Sequence, residues 1–183
     1  RRRTGNVRSL SIERAQLNIL AGVAPSYFVG TFPEEAWSTG FARRIILVYS
    51  SETPFKELFF QSEQGEQEKQ FLLKRLSHLA SLYGQLKWFP DAAEHLASWH
   101  RAGGGKGGPP IPTHSKLEHY SRSRTMHTIK LTIISAISRT GELVIELVDV
   151  KRAIAWLLEA ETGMPDIFRA MQGRSDSQVI EEM

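Results

Sequence analysis

The sequence predicts a mainly α-helical protein with a small β portion. After residue 67, apolar residues recur in several segments at spacings near 3.6, the period of a helix with one buried face. In the first fifty residues, short apolar runs are bounded by Gly and Pro, which is typical of buried strands. Hydrophobic residues make up 41% of the 183 positions and charged residues 23%. This balance is ordinary for a globular domain and excludes disordered and collagen-like chains.

The β portion is expected near the start of the chain. Apolar runs at 17–20 and 45–49 predict two buried strands, and 10–12 is a further short apolar run. The run at 45–49 is β-branched and continuously apolar, which suits a strand covered on both faces. Between the strands, 33–37 predicts one helical turn, because Pro opens it and two acids follow at its positive end. Gly40 ends this turn.

The rest of the chain is predicted to be mostly helical. The segment 115–139 should be the central helix, because its second half is apolar nearly all round. A short strand or extended segment is expected at 143–147, and the Gly- and Pro-rich stretch 102–112 predicts a flexible loop. The other helices are predicted at 67–83, from Pro90 to Gly103, and from the N-cap Asp149 to 163–165, with a further turn or two beyond.

Composition excludes several classes of site. The chain has no Cys, which excludes disulfides, thiolate zinc sites and cysteine nucleophiles. No run of 18 or more apolar residues occurs, so we expect no membrane-spanning segment. The chain begins with three arginines instead of Met and has a polar end, and we expect it to be a piece of a longer protein.

The formal net charge of +3 is unevenly distributed. The net charge is +4 over 1–14, +5 over 101–130 and −5 over 142–183. Such asymmetry indicates one side that faces a polyanion and another that is solvated or faces a partner, although solvated surface explains each patch equally well. The candidate nucleic-acid contacts are Arg1, Arg2, Arg3, Arg8, Lys106, Lys116, Arg122 and Arg124.

The stretch 103–107 resembles a phosphate loop only in its glycines. Lys106 is followed by Gly instead of Ser or Thr, no strand precedes it, and Pro109 and Pro110 follow where a helix should begin. A mobile linker is the favoured interpretation, although Lys106 could still contact a backbone phosphate.

The six histidines predict no metal site, because no two of them stand at i and i+4 on a predicted helix together with a carboxylate. His127 is expected to be hydrogen-bonded beside the buried part of its helix.

Three further cations are candidate anion contacts. Lys130 lies on the apolar face of its helix, so it must pair, extend to solvent or contact an anion. Arg43 and Arg44 directly precede the predicted strand 45–49. An Arg at a strand start is held rigidly while its guanidinium reaches outward, which suits a phosphate at a subunit interface; a surface ion pair is the alternative.

The segments 16–26, 33–37 and 40–49 resemble the last strands of a RecA-like ATPase core. The likeness is to the primase-helicase type proteins of bacteriophages and mobile elements, and 90–99, 120–124 and 150–158 fit the same family. It implies that the phosphate loop and the magnesium-binding strand lie upstream of Arg1. It also implies that Arg44 is a finger onto the nucleotide of a neighbouring subunit. The chain departs from the family at Ala24, where relatives carry a polar sensor of the γ-phosphate.

The resemblance implies two parts, with 1–54 as the edge strands of a RecA-like sheet and 55–183 as a helical bundle domain. The predicted function is that of a fragment of an ATP-dependent DNA helicase, which contributes an inter-subunit arginine and a basic surface for single-stranded DNA. The fragment alone would bind no cofactor, whereas its parent would use ATP and Mg²⁺, form a ring of identical subunits and work in the cytoplasm of a bacterial host. The alternatives are a non-enzymatic helical interaction module and a fragment of a DNA-packaging ATPase.

Overall fold

The computed structural model describes residues 18–25, 27, 34–38, 40–52, 55 and 64–172. The described residues are mostly helical with two short strands, which confirms the mainly α prediction. The helices and strands are α1 (Glu34–Ser38), a 3-10 helix (Ala42–Arg44), α2 (Gln64–Ala80), β1 (Lys87–Trp88), α3 (Pro90–Ala102), a 3-10 helix (Ser115–Leu117), α4 (Glu118–Ser121), α5 (Arg124–Thr140), β2 (Val144–Ile145) and α6 (Leu147–Gln172).

Helices α5 and α6 pack along each other, but the buried face of α5 is polar. Thr128 and Thr132 are fully buried, and each hydroxyl donates to the carbonyl four residues earlier, at 3.0 and 2.8 Å. These bonds satisfy the hydroxyls inside the helix, so short side chains can face α6. Met126 and Ile134 remain 57% and 56% exposed. The prediction of a central helix that is buried nearly all round is therefore wrong.

Two apolar clusters form the core. The first joins the segment 34–49 to α6, and its buried members include Trp37, Ala42, Leu157 and Phe168. The second is built around Ala92, Leu96, Ala136, Ile145 and Val150. Because the first cluster contains residues from both sides of position 54, the expected division of the chain at 54/55 does not coincide with a break in the packing.

The strands lie elsewhere than the β-branched runs predict. β1 and β2 pair in parallel, with Lys87 opposite Val144 and Trp88 opposite Ile145, so the extended segment expected at 143–147 is confirmed. The strand expected at 45–49 is wrong, because this segment has no ladder partner in the described part of the chain and Val48 is 78% exposed.

The segment 45–49 is nevertheless partly buried. Ile46, Leu47 and Tyr49 pack against the first apolar cluster. This run is therefore apolar because it contacts helices, not because it belongs to a sheet. Residues 18–20 are exposed and form no strand, which also corrects that prediction. The apolar run 10–12 lies outside the described residues. The described residues therefore contain no edge of a RecA-like sheet.

Several helix boundaries follow local signals. The predicted turn at 33–37 corresponds to α1, and Pro90 opens α3 at its first position. Gly141 ends α5 in the left-handed conformation, at φ 74°, and its N–H donates to the Ile137 carbonyl at 2.9 Å. Helix α2 begins and ends three residues earlier than predicted.

Other boundaries differ from the prediction. The long helix expected at 115–139 is divided into a 3-10 turn, α4 and α5. Helix α6 continues through Pro165 to Gln172 without the expected interruption. Asp149 is the third residue of α6, not its N-cap, and its carboxylate accepts from the Glu146 N–H at 3.0 Å. This is the reciprocal half of a capping box, so Asp149 still stabilises the helix start. Among the described helices, none is long and apolar enough to cross a membrane.

Candidate nucleic-acid interface

Arg124, a predicted nucleic-acid contact, is instead the most buried cation of the described residues. Its side chain is fully buried and forms a two-pronged ion pair with Glu161. Nε donates to Glu161 Oε1 at 2.7 Å and Nη2 donates to Oε2 at 2.8 Å. A buried cation is tolerated only when it is paired and its N–H groups are satisfied. The prediction that Arg124 meets a phosphate at the surface is therefore wrong.

The Gly-rich loop supplies the remaining partners of Arg124. Nη1 donates to the carbonyls of Lys106, Gly107 and Gly108 at 3.0, 3.2 and 3.1 Å, and Nη2 donates to the Pro110 carbonyl at 2.9 Å. The expected flexible linker is thus folded around a guanidinium. Its carbonyls point inward, whereas a phosphate loop would direct its N–H groups at the ligand.

Two glycines let this loop lie against Trp99. A Cβ on Gly107 would overlap the indole ring, and φ at this position is +81°. A Cβ on Gly108 would lie 2.8 Å from Trp99 Cδ1. The Arg124 guanidinium lies 5.3 Å from the centre of the same ring, within cation–π range. The glycines therefore serve close packing. No local motif predicts this arrangement, because Arg124 lies 17 and 16 residues from Gly107 and Gly108 in sequence.

Tyr120 completes the buried centre. Its hydroxyl donates to Glu161 Oε1 at 2.9 Å. Burial, together with the nearby negative charge of Glu161, raises the pKa of Tyr120 well above its usual range. Tyr120 is therefore a neutral hydrogen-bond donor at any physiological pH. The centre of Tyr120, Arg124 and Glu161 is built to stabilise the fold and offers no exposed reactive group.

A second ion pair joins the C-terminal end of α5 to the start of α6. Arg139 donates to both oxygens of Asp149, with Nε at 2.9 Å and Nη2 at 2.8 Å, and Ser135 Oγ donates to Asp149 at 3.2 Å. The hydrogen bond from Arg139 lowers the pKa of Asp149. The same bond raises the pKa of Arg139. This pair also connects the two helices and leaves no carboxylate free for chemistry.

Arg43, Arg44 and Lys130, which the sequence singles out separately, lie around one contact. His127 Nε2 donates to the Arg43 carbonyl at 3.0 Å, which joins two segments 84 residues apart. Lys130 follows His127 by one helical turn. All three cationic side chains are exposed, and within the described part of the chain no carboxylate pairs with any of them. We call Arg43, Arg44 and Lys130 the basic face.

His127 confirms the expectation of a buried, hydrogen-bonded side chain. It is 3% exposed and stacks on Tyr120 with ring centres 5.2 Å apart. Burial is the main cause that lowers its pKa, and the charge of Lys130 acts in the same direction, against the bond to the Arg43 carbonyl. A neutral imidazole therefore supports the basic face from beneath without adding to its charge.

Arg44 lies at the end of the 3-10 helix and not at the start of a strand. Its main-chain N–H donates to the Phe41 carbonyl at 2.9 Å, and Nη1 donates to the Gly40 carbonyl. The Arg44 side chain is exposed. Its position is therefore fixed by a local turn.

The other predicted nucleic-acid residues do not join the basic face through any described contact. Lys106 is exposed on the loop around Arg124, and Lys116 Nζ lies 5.8 Å from the Trp37 ring centre. Arg122 pairs with Glu118 at 2.8 Å, which cancels its charge locally. Arg1, Arg2, Arg3 and Arg8 lie outside the described residues. Among the described residues, no group of three or more His, Asp or Glu could hold a metal ion.

Comparison with protein-family models, curated proteins and solved structures found no match for this chain. The helicase resemblance, its ATP and Mg²⁺, and its ring of subunits therefore stay predictions.

Proposed function

We propose that this chain binds single-stranded DNA through the basic face of Arg43, Arg44 and Lys130. The observation that supports the proposal is that the bond between His127 and the Arg43 carbonyl brings together two segments with three exposed cations, which no described carboxylate neutralises. Surface cations of folded proteins commonly pair with nearby acids, as Arg101 does with Glu94 at 2.6 Å. A cluster that stays unpaired is favourable when an external polyanion supplies the negative charge.

The surroundings of the basic face suit a single strand better than a duplex. Phe41 is partly exposed beside Arg43 and Arg44, and Met126 is exposed one turn before Lys130. Single strands are bound by cations along the backbone and by flat or apolar side chains on which bases stack. Bases inside a duplex are not available for such contacts.

A salt titration with a fluorescent thymidine oligonucleotide tests this proposal. Three phosphate contacts predict that log affinity falls with log salt with a slope of about −2. The triple variant with Arg43→Ala, Arg44→Ala and Lys130→Ala should lose most of that slope. Lys74→Ala on α2 is the matched control and should leave it unchanged. An unchanged slope in the triple variant, or no binding of the native chain at low salt, contradicts the proposal.

The same titration separates DNA binding from the interaction-module alternative, which predicts no binding at any salt. A further control is Phe41→Ala, which should weaken binding of the single strand with little change in slope, because stacking is not screened by salt. A duplex of the same length should bind more weakly than the single strand. Equal affinity for both would assign the contact to the phosphates alone.

The second candidate function is the helicase role, in which Arg44 contacts a triphosphate on a neighbouring subunit. The exposure of its guanidinium at the end of a short fixed turn favours this role. In a protein that carries this chain beside a phosphate loop, Arg44→Ala should abolish DNA-stimulated ATP hydrolysis and spare nucleotide binding. Unchanged turnover would refute the finger role and leave the DNA-binding proposal intact.

A further inference from the structure

Helix α2 contacts the rest of the described protein on one side only. Arg75 Nη2 donates to the Ser138 carbonyl at 2.6 Å, and His78 Nε2 donates to the Gly141 carbonyl at 2.9 Å. Both contacts hold the C-terminal half of α2 against the end of α5. The N-terminal half, 65–70, is exposed throughout.

Beside the face that makes these contacts, α2 carries an apolar seam. Leu72, Leu76 and Leu79 follow each other at intervals of four and three residues, the spacing that aligns apolar side chains along a helix–helix seam. Leu72 and Leu76 are 56% and 59% exposed, and Leu79 is half-buried. Phe71 and Leu73 flank the seam and are also exposed.

The area of this seam is large for a surface without a partner. With about 100 Å² exposed on each large side chain, Phe71, Leu72, Leu73, Leu76 and the adjacent Tyr83 present roughly 500 Å², at the upper end of what monomers expose. Two such faces together would bury on the order of 1,000 Å², which reaches the size of a specific interface. A second copy of the same face is therefore sufficient to cover it.

The charges of α2 do not oppose such pairing. Lys74 lies on the far side of the helix from Leu72 and Leu76, since it is two residues from each. Lys69, which lies one turn before Leu72, already pairs with Glu66 at 3.4 Å. Glu68 and Arg75 lie one turn before and one turn after Leu72, so they border the seam, and Arg75 is held by the Ser138 carbonyl at 2.6 Å.

We propose that α2 is a self-association helix and that a second copy of this chain packs on it antiparallel, with Leu72 of one copy against Leu76 of the other. The contacts of Arg75 and His78 place the body of the protein beside the C-terminal half of α2. In an antiparallel pair each body lies beside the unobstructed N-terminal half of the other copy, whereas a parallel pair brings both bodies to the same end. The arrangement has two-fold symmetry, so it closes as a dimer.

The antiparallel direction also matches the charges along α2. Two acids and one base, Glu66, Glu68 and Lys69, lie in the N-terminal half, and Arg75 and His78 lie in the C-terminal half. Antiparallel packing brings acidic and basic halves into proximity and sets the helix dipoles in opposition. Parallel packing would place like charges together.

Sedimentation equilibrium over about 10 to 500 μM tests the proposal, since mass action shifts a weak dimer over this range. The native chain should approach twice its 20.7 kDa mass as concentration rises. Leu76→Glu should raise the dissociation constant by at least about 30-fold, as expected for a central apolar contact. Lys74→Glu, on the far side of α2, should leave it unchanged. A native chain that stays monomeric throughout, or equal effects of both variants, overturns the proposal.

Cysteine cross-linking tests the direction, because the native chain has no cysteine. We expect an equimolar mixture of Leu72→Cys and Leu76→Cys chains to form the mixed disulfide in excess over either homodisulfide, because only facing Cα atoms come within bridging distance. Homodisulfides in excess would overturn the antiparallel arrangement. Circular dichroism of each variant checks that the helices remain folded, and none of these residues belongs to the basic face.

Discussion

Replacing Arg124 by Met is the most informative test of the fold. The substitution keeps an unbranched side chain of similar length and removes every charge and donor. It leaves the Glu161 carboxylate buried beside Tyr120 without its cation, and it leaves four loop carbonyls without their donor. We therefore expect a large loss of stability and release of the loop at 103–110.

The magnitude follows from the burial of both partners. Removing one member of a buried ion pair costs about 3 to 5 kcal/mol, because the other charge stays desolvated and unpaired. The orphaned carbonyls of Lys106, Gly107, Gly108 and Pro110 would add to this, although release of the loop to water recovers part of the cost. We expect a net loss of about 4 kcal/mol in the free energy of unfolding, on the basis of the ion-pair term.

Urea unfolding measures this loss, and limited trypsin digestion locates it. With about 2 kcal/mol per molar urea, the midpoint should fall by about 2 M. Trypsin should cut after Lys106 much faster in the variant, because the main chain there is no longer held. Arg122→Ala is the matched control, since it breaks only the exposed pair with Glu118 and should cost less than about 1 kcal/mol.

A double variant separates the cost of the lost ion pair from the cost of the lost contacts with the loop carbonyls. Arg124→Met together with Glu161→Leu removes both charges and should recover a large part of the ion-pair cost. The loop should remain sensitive to trypsin, because its carbonyls still lack donors. If Arg124→Met costs no more than Arg122→Ala, the guanidinium does not hold the loop and the reasoning is refuted.

Two further predictions concern the loop and the start of α6. Gly107→Ala should destabilise the protein by about 2 to 4 kcal/mol in thermal unfolding, because the added Cβ overlaps the Trp99 ring and the position has a positive φ. Position 104 also has a positive φ but open space around it, so Gly104→Ala should cost about 1 kcal/mol. Because the pKa of Asp149 is lowered in the folded chain, its contribution to the free energy of unfolding is fully present above its unfolded pKa, near 3.8. That contribution is lost as pH falls through the lower folded pKa. Asp149→Asn should therefore be less stable than the native chain at pH 7, and the difference should shrink below about pH 3.8 in urea titrations. A difference that persists undiminished at low pH would contradict this role.

Local signals in the sequence were sufficient to predict the helix ends that a Pro or a Gly determines. Pro90 begins α3 because its ring sets φ and it lacks only an N–H that the first turn does not use. Gly141 ends α5 because it adopts the left-handed conformation at no steric cost. These effects act within one helical turn, so neighbouring residues determine them.

The basic face was only partly predictable. Arg43, Arg44 and Lys130 are visible as cations in apolar surroundings, but their proximity depends on the bond between His127 and the Arg43 carbonyl. The run at 45–49 shows the converse error. Its apolarity correctly indicated contact with the core, whereas a strand also needs a partner, and pairing is decided between segments distant in sequence.

The sequence alone determined that this chain is mainly helical, where α3 begins and where α5 ends, and which segments carry charge. Only the tertiary structure decided that Arg124 is a core residue and that the glycines beside Lys106 enclose it. The physical reason is range: capping and helical periodicity depend on residues three or four positions apart, whereas Glu161 is 37 residues from the guanidinium that it neutralises. A cation at the surface and a cation in the core look identical in sequence until the fold brings its counter-charge to it.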